Sequence, residues 1–251
     1  MIRLSVNVNK VATLRNSRGG WEPRVLDAVA ACLAAGAGGI TVHPRADRRH
    51  ITPGDVREIA GALESVRPSI EYNIEGDPRP DLLALALEVG PDQCTLVPVV
   101  PGEITSQAGW SAGSEAGGLP AVIRTLKSNG IRVSLFVEPR PDAVQLASSL
   151  GADRVELYTE PFARAFERGA DQARRSFELY AEAARLARSL GLGVNAGHDL
   201  DLDNLTLFRE LPCLDEVSIG HAIISRALFA GLERVVGEYV AILRAGLGVN
   251  V

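Results

Sequence analysis

Short runs of alternating apolar and polar residues recur along the chain, and a helix-favouring stretch follows each of them. In the first run, residues 4–9, the even positions are apolar and the odd positions are polar. Alternation with a period of two is typical of a β-strand whose two faces meet different surroundings. The pattern predicts eight strands, over residues 4–9, 39–44, 69–76, 93–98, 132–139, 154–161, 193–199 and 216–222.

The stretches between these runs favour helices. Thr52 and Pro53 fit an N-cap followed by proline at the first helical position. In the final stretch, Leu228, Val235 and Tyr239 recur at helical spacing on one apolar face. The pattern predicts eight helices, over residues 24–35, 53–66, 81–89, 119–128, 142–150, 172–190, 202–210 and 224–245.

Strands that alternate with helices favour an α/β fold with a parallel sheet and helical crossovers. Eight such units in 251 residues predict a (β/α)8 TIM barrel, with residues 1–251 forming a single domain. A doubly wound open sheet is the alternative, and it predicts a glycine-rich turn after the first strand that the sequence lacks. The longest loop, residues 101–118, is a candidate lid.

Composition narrows the classes of partner. The net charge of −5 argues against a nucleic-acid partner, which usually requires a basic face. No apolar run approaches the ~20 residues that cross a bilayer, and the first residues lack the regions of a signal peptide. Cys32, Cys94 and Cys213 lie far apart in apolar surroundings, so we expect three reduced core cysteines in a cytoplasmic protein.

Histidines mark the expected position of the site. Functional residues of such barrels lie at the carboxyl-terminal ends of the strands and in the loops that follow. All four histidines of the chain fall there, namely His43, His50, His198 and His221. Because histidine titrates near neutrality, this clustering predicts proton transfer at the carboxyl-terminal face of the barrel.

Two glutamates on predicted strands are candidates for the same chemistry. Glu75 ends the third strand, where burial could raise its pKa and make it a base, or where it could pair with an inward Arg or Lys. Glu71 is its rival on the same face, deeper in the strand. Glu156 alternates inward in the sixth strand, where it could serve the site or an ion pair within the barrel.

Anion-binding groups also fall at these strand ends. Gly197 and Gly220 would let the backbone approach a phosphate closely, although glycine there could equally serve a turn. Arg18, Arg45 and His50 could neutralise a second anion near the first two strands.

Four segments, in this order, carry a resemblance to a known family: residues 5–7 with 12–19, 39–51, 194–198 and 218–224. They resemble the pyridoxine 5′-phosphate synthase family over essentially the whole chain. The resemblance implies a (β/α)8 barrel that assembles into a homo-octamer. It implies condensation of 1-deoxy-D-xylulose 5-phosphate with 3-amino-2-oxopropyl phosphate to pyridoxine 5′-phosphate, inorganic phosphate and water, with no metal and no organic cofactor.

The resemblance also implies residue roles. It makes His43 and Glu75 proton acceptors, His198 the proton donor and Glu156 the group that stabilises a transition state. The implied contacts to the amino-ketone phosphate are Asn7, Arg18, Asp199, Gly220 and His221, and those to the deoxyxylulose phosphate are Arg45, His50 and Thr105.

The chain departs from the family pattern at two places. It has Asn9 and Lys10 where many members have Asp-His, and Asp199 where many have Gly. Lys10 could bind a phosphate as a point charge or could be a solvated loop residue. We expect the Asp199 side chain to turn away from an anion and to cap the following short helix. Because the three proton-transfer residues remain, these departures suggest a variant branch that keeps the activity.

Two other functions remain open at this point. A metal-dependent barrel hydrolase or isomerase could use His43, His198, Glu75 and Glu156 as ligands, although no HxH or HExxH spacing supports it. A non-catalytic barrel could bind a sugar phosphate, although pure binding does not require the acid–base groups.

Overall fold

The computed structural model describes residues 1–98, 108–111 and 118–245. In these ranges eight parallel strands pair in chain order, and the last pairs with the first to close a barrel. This closure confirms the (β/α)8 fold and excludes the open sheet. The strands are β1 (Arg3–Asn7), β2 (Gly39–Val42), β3 (Glu71–Gly76), β4 (Gln93–Leu96), β5 (Arg132–Val137), β6 (Arg154–Tyr158), β7 (Gly193–Gly197) and β8 (Leu214–Ile219).

Helices surround the barrel, and their apolar faces pack on the outward side chains of the strands in one core. Within the described ranges they are α1 (Asn9–Asn16), α2 (Val25–Ala34), α3 (Pro53–Leu63), α4 (Pro80–Val89), α5 (Leu119–Ser128), α6 (Pro141–Ser149), α7 (Glu160–Glu167), α8 (Ala170–Ser189), α9 (Leu205–Phe208), α10 (His221–Ala230) and α11 (Leu232–Ala245). None of these helices combines the length and the apolar character that a bilayer crossing requires.

The start of α3 shows how local sequence fixes a helix end. Thr52 is the N-cap: its hydroxyl accepts a hydrogen bond from the Asp55 amide, and the Asp55 carboxylate accepts one from the Thr52 amide. Pro53 occupies the first helical position, so the predicted cap is confirmed. Asp55 also accepts two hydrogen bonds from the Arg15 guanidinium, which ties α1 to α3.

Three helical segments differ from the prediction. The helix α1 was expected as a loop after the first strand, and α7 begins where the sixth strand was expected to end. The stretch predicted as one helix over residues 224–245 is two helices, because Gly231 between them adopts a φ of 85°. Leu228 lies on the exposed side of α10 and not on the predicted apolar face.

The cysteine prediction is correct for two residues and wrong for the third. Cys32 and Cys94 are buried free thiols, whereas Cys213 is exposed. Cys213 precedes β8 in a turn with a φ of 62°, and such turns lie on the surface.

Inside the barrel, the amino-terminal layer consists of charged side chains. Glu71, at the start of β3, pairs with Arg3 of β1 and Arg132 of β5. Both arginines are the first residues of their strands, so this network lies at the end of the barrel away from the predicted site. Glu71 is therefore a structural ion-pair partner, and Glu75 is the carboxyl that reaches the opposite end.

Candidate active site

A cavity of about 440 Å³ opens at the carboxyl-terminal ends of the strands. It brings together all four histidines. The other residues singled out from the sequence that line it are Asn7, Asn9, Lys10, Arg45, Glu75, Glu156, Asp199 and Gly220. Arg18 is exposed and is not among the lining residues, and Thr105 lies outside the described residues, as does most of the candidate lid.

His43 and Glu75 form the inner part of the site. Nδ1 of His43 lies 4.0 Å from Oε2 of Glu75, and both side chains are buried. Burial, and then the positive charges of His50 and Arg45, lower the pKa of His43 to about 3, so its imidazole is neutral near pH 7. Burial, and then the charge of Glu216, raise the pKa of Glu75 to about 8. The Glu75 carboxyl can therefore exchange a proton at small cost near physiological pH, whereas the His43 imidazole is held in its neutral form, which has a lone pair that can accept a hydrogen bond or a proton.

Glu156 shares this buried space. Its carboxyl is enclosed by the barrel, and desolvation followed by the charge of Glu75 raises its pKa well above the ordinary value. A hydrogen bond with Thr95 opposes that shift. Glu156 lines the cavity, and the ion pairs within the described barrel interior involve Glu71 and Glu216 rather than Glu156. The side chain is thus available to the site.

His198 lies at the end of β7 against an aromatic wall. Its ring centroid is 5.4 Å from that of Tyr158 and 6.1 Å from that of Phe136. His198 and Asp199 have φ values of 86° and 54°, a left-handed conformation that is costly for residues with a Cβ. The Thr159 hydroxyl holds this turn by donating to the carbonyls of Gly197 and His198. The strained turn directs the imidazole toward the cavity.

Asp199 turns toward its neighbour rather than toward the next helix. Its Oδ2 lies 3.6 Å from Nδ1 of His198, and this contact lowers the pKa of Asp199. The N-cap of α9 is Asn204, so the predicted capping role of Asp199 is wrong. Several residues separate Asp199 from the start of the helix. The backbone carbonyl of Asp199 instead accepts a hydrogen bond from the side-chain amide of Asn204.

One end of the cavity collects positive charge. Arg45, Arg49 and Lys10 line it beside the buried His50. Burial, and then the charges of Arg45 and Lys10, lower the pKa of His50 to about 4. An anion bound here would offset this repulsion among like charges, so the arrangement favours a phosphate group.

The start of α10 offers backbone N–H groups to another part of the cavity. Gly220 is its N-cap and His221 its first residue, so amide N–H groups of the first turn are available for an anion. A Cβ on Gly220 would lie 2.9 Å from the Asn7 carbonyl oxygen, so only glycine lets β1 and β8 approach this closely. Asn7 links this position to the acid–base groups by donating to Oε2 of Glu75 at 3.4 Å.

Asn9 acts on the backbone of the site. Its side-chain Oδ1 accepts a hydrogen bond from the backbone N–H of His43 at 2.9 Å. Its own backbone N–H donates to Oδ1 of Asn7. These bonds join the ends of β1 and β2, so Asn9 orients His43 instead of presenting a charge to the cavity.

Some lining residues were not found from the sequence. They are Thr13, Val97, Phe136 and Ser218, whereas Arg49 belongs to the basic loop that follows the second predicted strand. Phe136 and Ser218 fall on the inward-facing positions of β5 and β8, and this alternation could have identified them from the sequence. Thr13 belongs to α1, which was expected to be a loop, so its position carried no signal.

Among the residues that the structure describes, no group of three or more His, Cys, Asp or Glu side chains is arranged to hold a metal ion.

Gly197 provides the space that Glu156 occupies. A Cβ at Gly197 would overlap Oε1 of Glu156, and it would also lie 3.3 Å from the Ser218 carbonyl oxygen. We expect Gly197→Ala to displace the Glu156 carboxyl and to lower kcat by about 10²-fold. Gly237→Ala is the matched control, because a Cβ there meets nothing within 4 Å. A kcat for Gly197→Ala equal to that of the control would show that the position of Glu156 does not matter.

The fold and the site together define the class: a (β/α)8 barrel whose carboxyl-terminal face combines titratable side chains with a cluster of cationic side chains and the start of a helix. The family model described as "Pyridoxal phosphate biosynthesis protein PdxJ" matches residues 4–245. The chain belongs to this family.

Similar proteins agree with the family and the fold. The chain is 50% identical to a pyridoxine 5′-phosphate synthase of Christiangramia forsetii over 245 residues, which cover 97% of this chain and 100% of that protein. It is 51% identical, with the same coverage, to a protein of that name from Bacteroides thetaiotaomicron. Thiamine phosphate pyrophosphorylase of Pyrococcus furiosus shares the fold, with a TM-score of 0.64, 15% identity and coverage of 98% of each chain.

Proposed function

We propose that the chain catalyses the pyridoxine 5′-phosphate synthase reaction. In this reaction 1-deoxy-D-xylulose 5-phosphate and 3-amino-2-oxopropyl phosphate condense to pyridoxine 5′-phosphate, inorganic phosphate and water. The observation that carries the proposal is that one cavity is lined by His43, Glu75 and His198, by the cationic Lys10, Arg45 and Arg49, and by Gly220 and His221 at the start of a helix. Two phosphorylated substrates require two positions that bind a phosphate. The reaction also requires groups that transfer protons to and from the reacting atoms.

The chemistry assigns a role to each acid–base group. Imine formation, dehydration, loss of phosphate and ring closure each move a proton to or from a reacting atom. His43 is neutral near pH 7 and serves as an acceptor, as does Glu75 when ionised. His198 serves as the donor, and Glu156 stabilises charge that develops between them. The proposal needs no metal and no organic cofactor.

The proposal assigns the two phosphates to different parts of the cavity. The deoxyxylulose phosphate is assigned to Arg45, His50 and Lys10, which all line the cavity. The amino-ketone phosphate takes the N–H groups at the start of α10 and the Asp199 backbone. Arg18 and Thr105 stay in the proposal as substrate contacts on the family resemblance alone.

Lys10 provides a test of the first phosphate position. We expect Lys10→Met to raise the KM for deoxyxylulose phosphate about tenfold, because one charge-assisted contact contributes about 1.4 kcal/mol or more. kcat should change little, because Lys10 contacts neither Glu75 nor His198 among the described hydrogen bonds and ion pairs. The control is Lys127→Met, which removes the chain's other lysine, paired with Asp153 on the outer surface. An unchanged KM would show that Lys10 does not bind this phosphate and is a solvated residue.

The proposal extends to assembly and location. A homo-oligomer, an octamer by resemblance, would cover apolar side chains that a single chain exposes. Phe229 is 94%, Trp21 74% and Leu228 67% exposed. Sedimentation velocity should give a species of eight chains, and a monomer would contradict the proposed assembly.

The proposed location is the cytoplasm. The free thiols of Cys32, Cys94 and Cys213 support this location. Inorganic phosphate is a released product of the proposed reaction.

Growth of a bacterium that cannot make pyridoxine 5′-phosphate tests the function in the cell. The gene for this chain should restore growth without added pyridoxine, whereas a His198→Ala version produced in equal amount should not. If the wild-type gene also failed to restore growth although folded protein was present at a normal level, the proposed reaction would be contradicted.

A further inference from the structure

Asn7, Asn9, His43 and Glu75 form a closed path of contacts at the ends of β1, β2 and β3. The backbone N–H of His43 donates to Oδ1 of Asn9 at 2.9 Å, and the backbone N–H of Asn9 donates to Oδ1 of Asn7 at 3.1 Å. Nδ2 of Asn7 donates to Oε2 of Glu75 at 3.4 Å, and that oxygen lies 4.0 Å from Nδ1 of His43. The path therefore returns to the residue at which it began.

The hydrogen bonds of this path run in one direction. A backbone N–H can donate a hydrogen bond but cannot accept one, so each Asn side chain turns its oxygen toward the backbone N–H that it contacts. The Oδ1 atom of Asn7 is thereby occupied by the Asn9 backbone N–H. Nδ2 of Asn7 is consequently the atom that meets Glu75, and it presents an N–H to the carboxyl rather than a lone pair.

Packing also fixes the Asn7 side chain. A Cβ on Gly220 would lie 3.0 Å from Cβ and 3.3 Å from Cγ of Asn7, so β1 and the end of β8 meet directly at this side chain. Asn9 is the first residue of α1, where a backbone N–H has no partner within the helix. A different rotamer of Asn7 would leave that N–H without its partner, so the Nδ2 donor stays at Glu75.

We propose that Asn7 is a positioning residue for Glu75, because its Nδ2 donor, oriented by the backbone of Asn9, favours the ionised carboxylate that accepts a proton. This role is separate from the phosphate contact that the family resemblance gives to Asn7. The inference rests on the proposed function, in which Glu75 is a proton acceptor. A hydrogen-bond donor stabilises the ionised form of a carboxyl, whereas burial favours the protonated form.

Burial and negative charge oppose the ionised form of Glu75. Burial comes first and the charge of Glu216 on β8 second, and together they raise the pKa of Glu75 to about 8. Glu156 on β6 is a further buried carboxyl, and the charge of Glu75 contributes to its raised pKa. Cys94 on β4 stays a neutral thiol, because burial and the charge of Glu75 raise its pKa to about 12. These groups add no positive charge that would compensate the Glu75 carboxylate.

Two donors act in the opposite sense. The Ser218 hydroxyl on β8 donates to the Glu75 carboxyl and lowers its pKa, and Asn7 adds a donor at Oε2. His43 contributes neither a charge nor a hydrogen bond to Glu75 near pH 7. Burial lowers the pKa of His43 to about 3, and its Nδ1 is 4.0 Å from Oε2. The ionised fraction of Glu75 near pH 7 therefore depends on these two donors.

The test replaces Asn7 by leucine, which has a similar volume and no hydrogen-bonding atoms in its side chain. In Asn7→Leu the pKa of Glu75 should rise by about one unit, so its ionised fraction near pH 7 should fall about tenfold. With both substrates saturating, the ratio of wild-type kcat to variant kcat should therefore fall by about tenfold between pH 7 and pH 10. A ratio that does not change with pH would show that Asn7 acts only on binding or structure, which would overturn the proposal.

Two further variants separate the donor from the other contacts of Asn7. Asn7→Asp keeps an oxygen for the Asn9 backbone N–H, but it places a second carboxylate against Oε2 of Glu75. The change of the kcat ratio with pH should be larger in this variant than in Asn7→Leu, and its absence would contradict the proposal even if Asn7→Leu did not fold. Asn129→Leu is the matched control on the outer surface, where Asn129 donates to the Thr125 carbonyl, and its kcat ratio should not depend on pH.

A measurement without substrate separates this inference from the proposed function. The infrared C=O band of a protonated carboxyl is distinct from the bands of carboxylates, and the part of its pH titration that is missing in Glu75→Gln belongs to Glu75. The midpoint of that part should lie about one unit higher in Asn7→Leu than in the wild type. Equal midpoints would overturn the proposal. A shifted midpoint in a protein that makes no pyridoxine 5′-phosphate would instead contradict the proposed function and leave the effect of Asn7 on Glu75 in place.

Discussion

His198→Ala is expected to lower kcat by about 10²–10⁴-fold, which is the contribution typical of a general acid. The imidazole lies at the mouth of the cavity against Phe136 and Tyr158, and no other described histidine shares that wall. Because the side chain is only partly buried, its loss should leave the fold and most of the substrate affinity intact. Steady-state kinetics and calorimetric binding of deoxyxylulose phosphate measure the two effects separately.

His221→Ala is the comparison for this experiment. His221 is exposed at the start of α10, where it contacts Ser225, and its proposed role is to bind phosphate. Its removal should therefore raise the KM for the amino ketone and leave kcat within a few-fold of the wild type. If His198→Ala showed the same pattern, the donor would have to be another group.

Glu75→Gln is expected to lower kcat to a similar extent and also to change the pH profile. In the wild type, kcat/KM should rise with pH through about 8, since the carboxyl accepts a proton only after it has lost its own. The midpoint reports Glu75 together with Glu156 and Glu216, because the charges of these buried carboxyls raise one another's pKa values. Glutamine cannot accept a proton, so the residual activity of the variant should lack this rise.

Glu88→Gln provides the matched control for Glu75→Gln. Glu88 is exposed and pairs with Arg57 on the outer surface, so the same chemical change there should leave the kinetics and the profile unchanged. A Glu75→Gln variant with wild-type kcat would remove Glu75 from the mechanism, and the measured pH rise would then need another origin.

The strands could be predicted because a barrel strand alternates apolar outward and polar inward positions. Two helices, α1 and α7, could not be predicted. The sequence of α1 begins with Asn9 and has no side-chain cap, so nothing in it marks a helix start. Likewise, Pro161 near the start of α7 resembled the end of a strand, because proline serves both positions.

The site could be predicted as far as strand ends determine it. The same alternation placed Glu75 and Glu156 inside the barrel, but it could not give the register between strands. The pairing of β7 with β8 is irregular between Val194 and Asn195, and no local pattern marks that irregularity. The turn at Asp199 depends on the Thr159 hydroxyl, a contact between neighbouring strands that local sequence does not contain.

The central claim is that one cavity joins two phosphorylated substrates by proton transfer. The most direct test is to incubate the purified protein with both substrates, which are made enzymatically in the same tube. Chromatography of the mixture then detects the product. We predict pyridoxine 5′-phosphate together with released inorganic phosphate when both substrates are present, and no product when either is omitted. No product and no phosphate release from the folded protein would contradict the account.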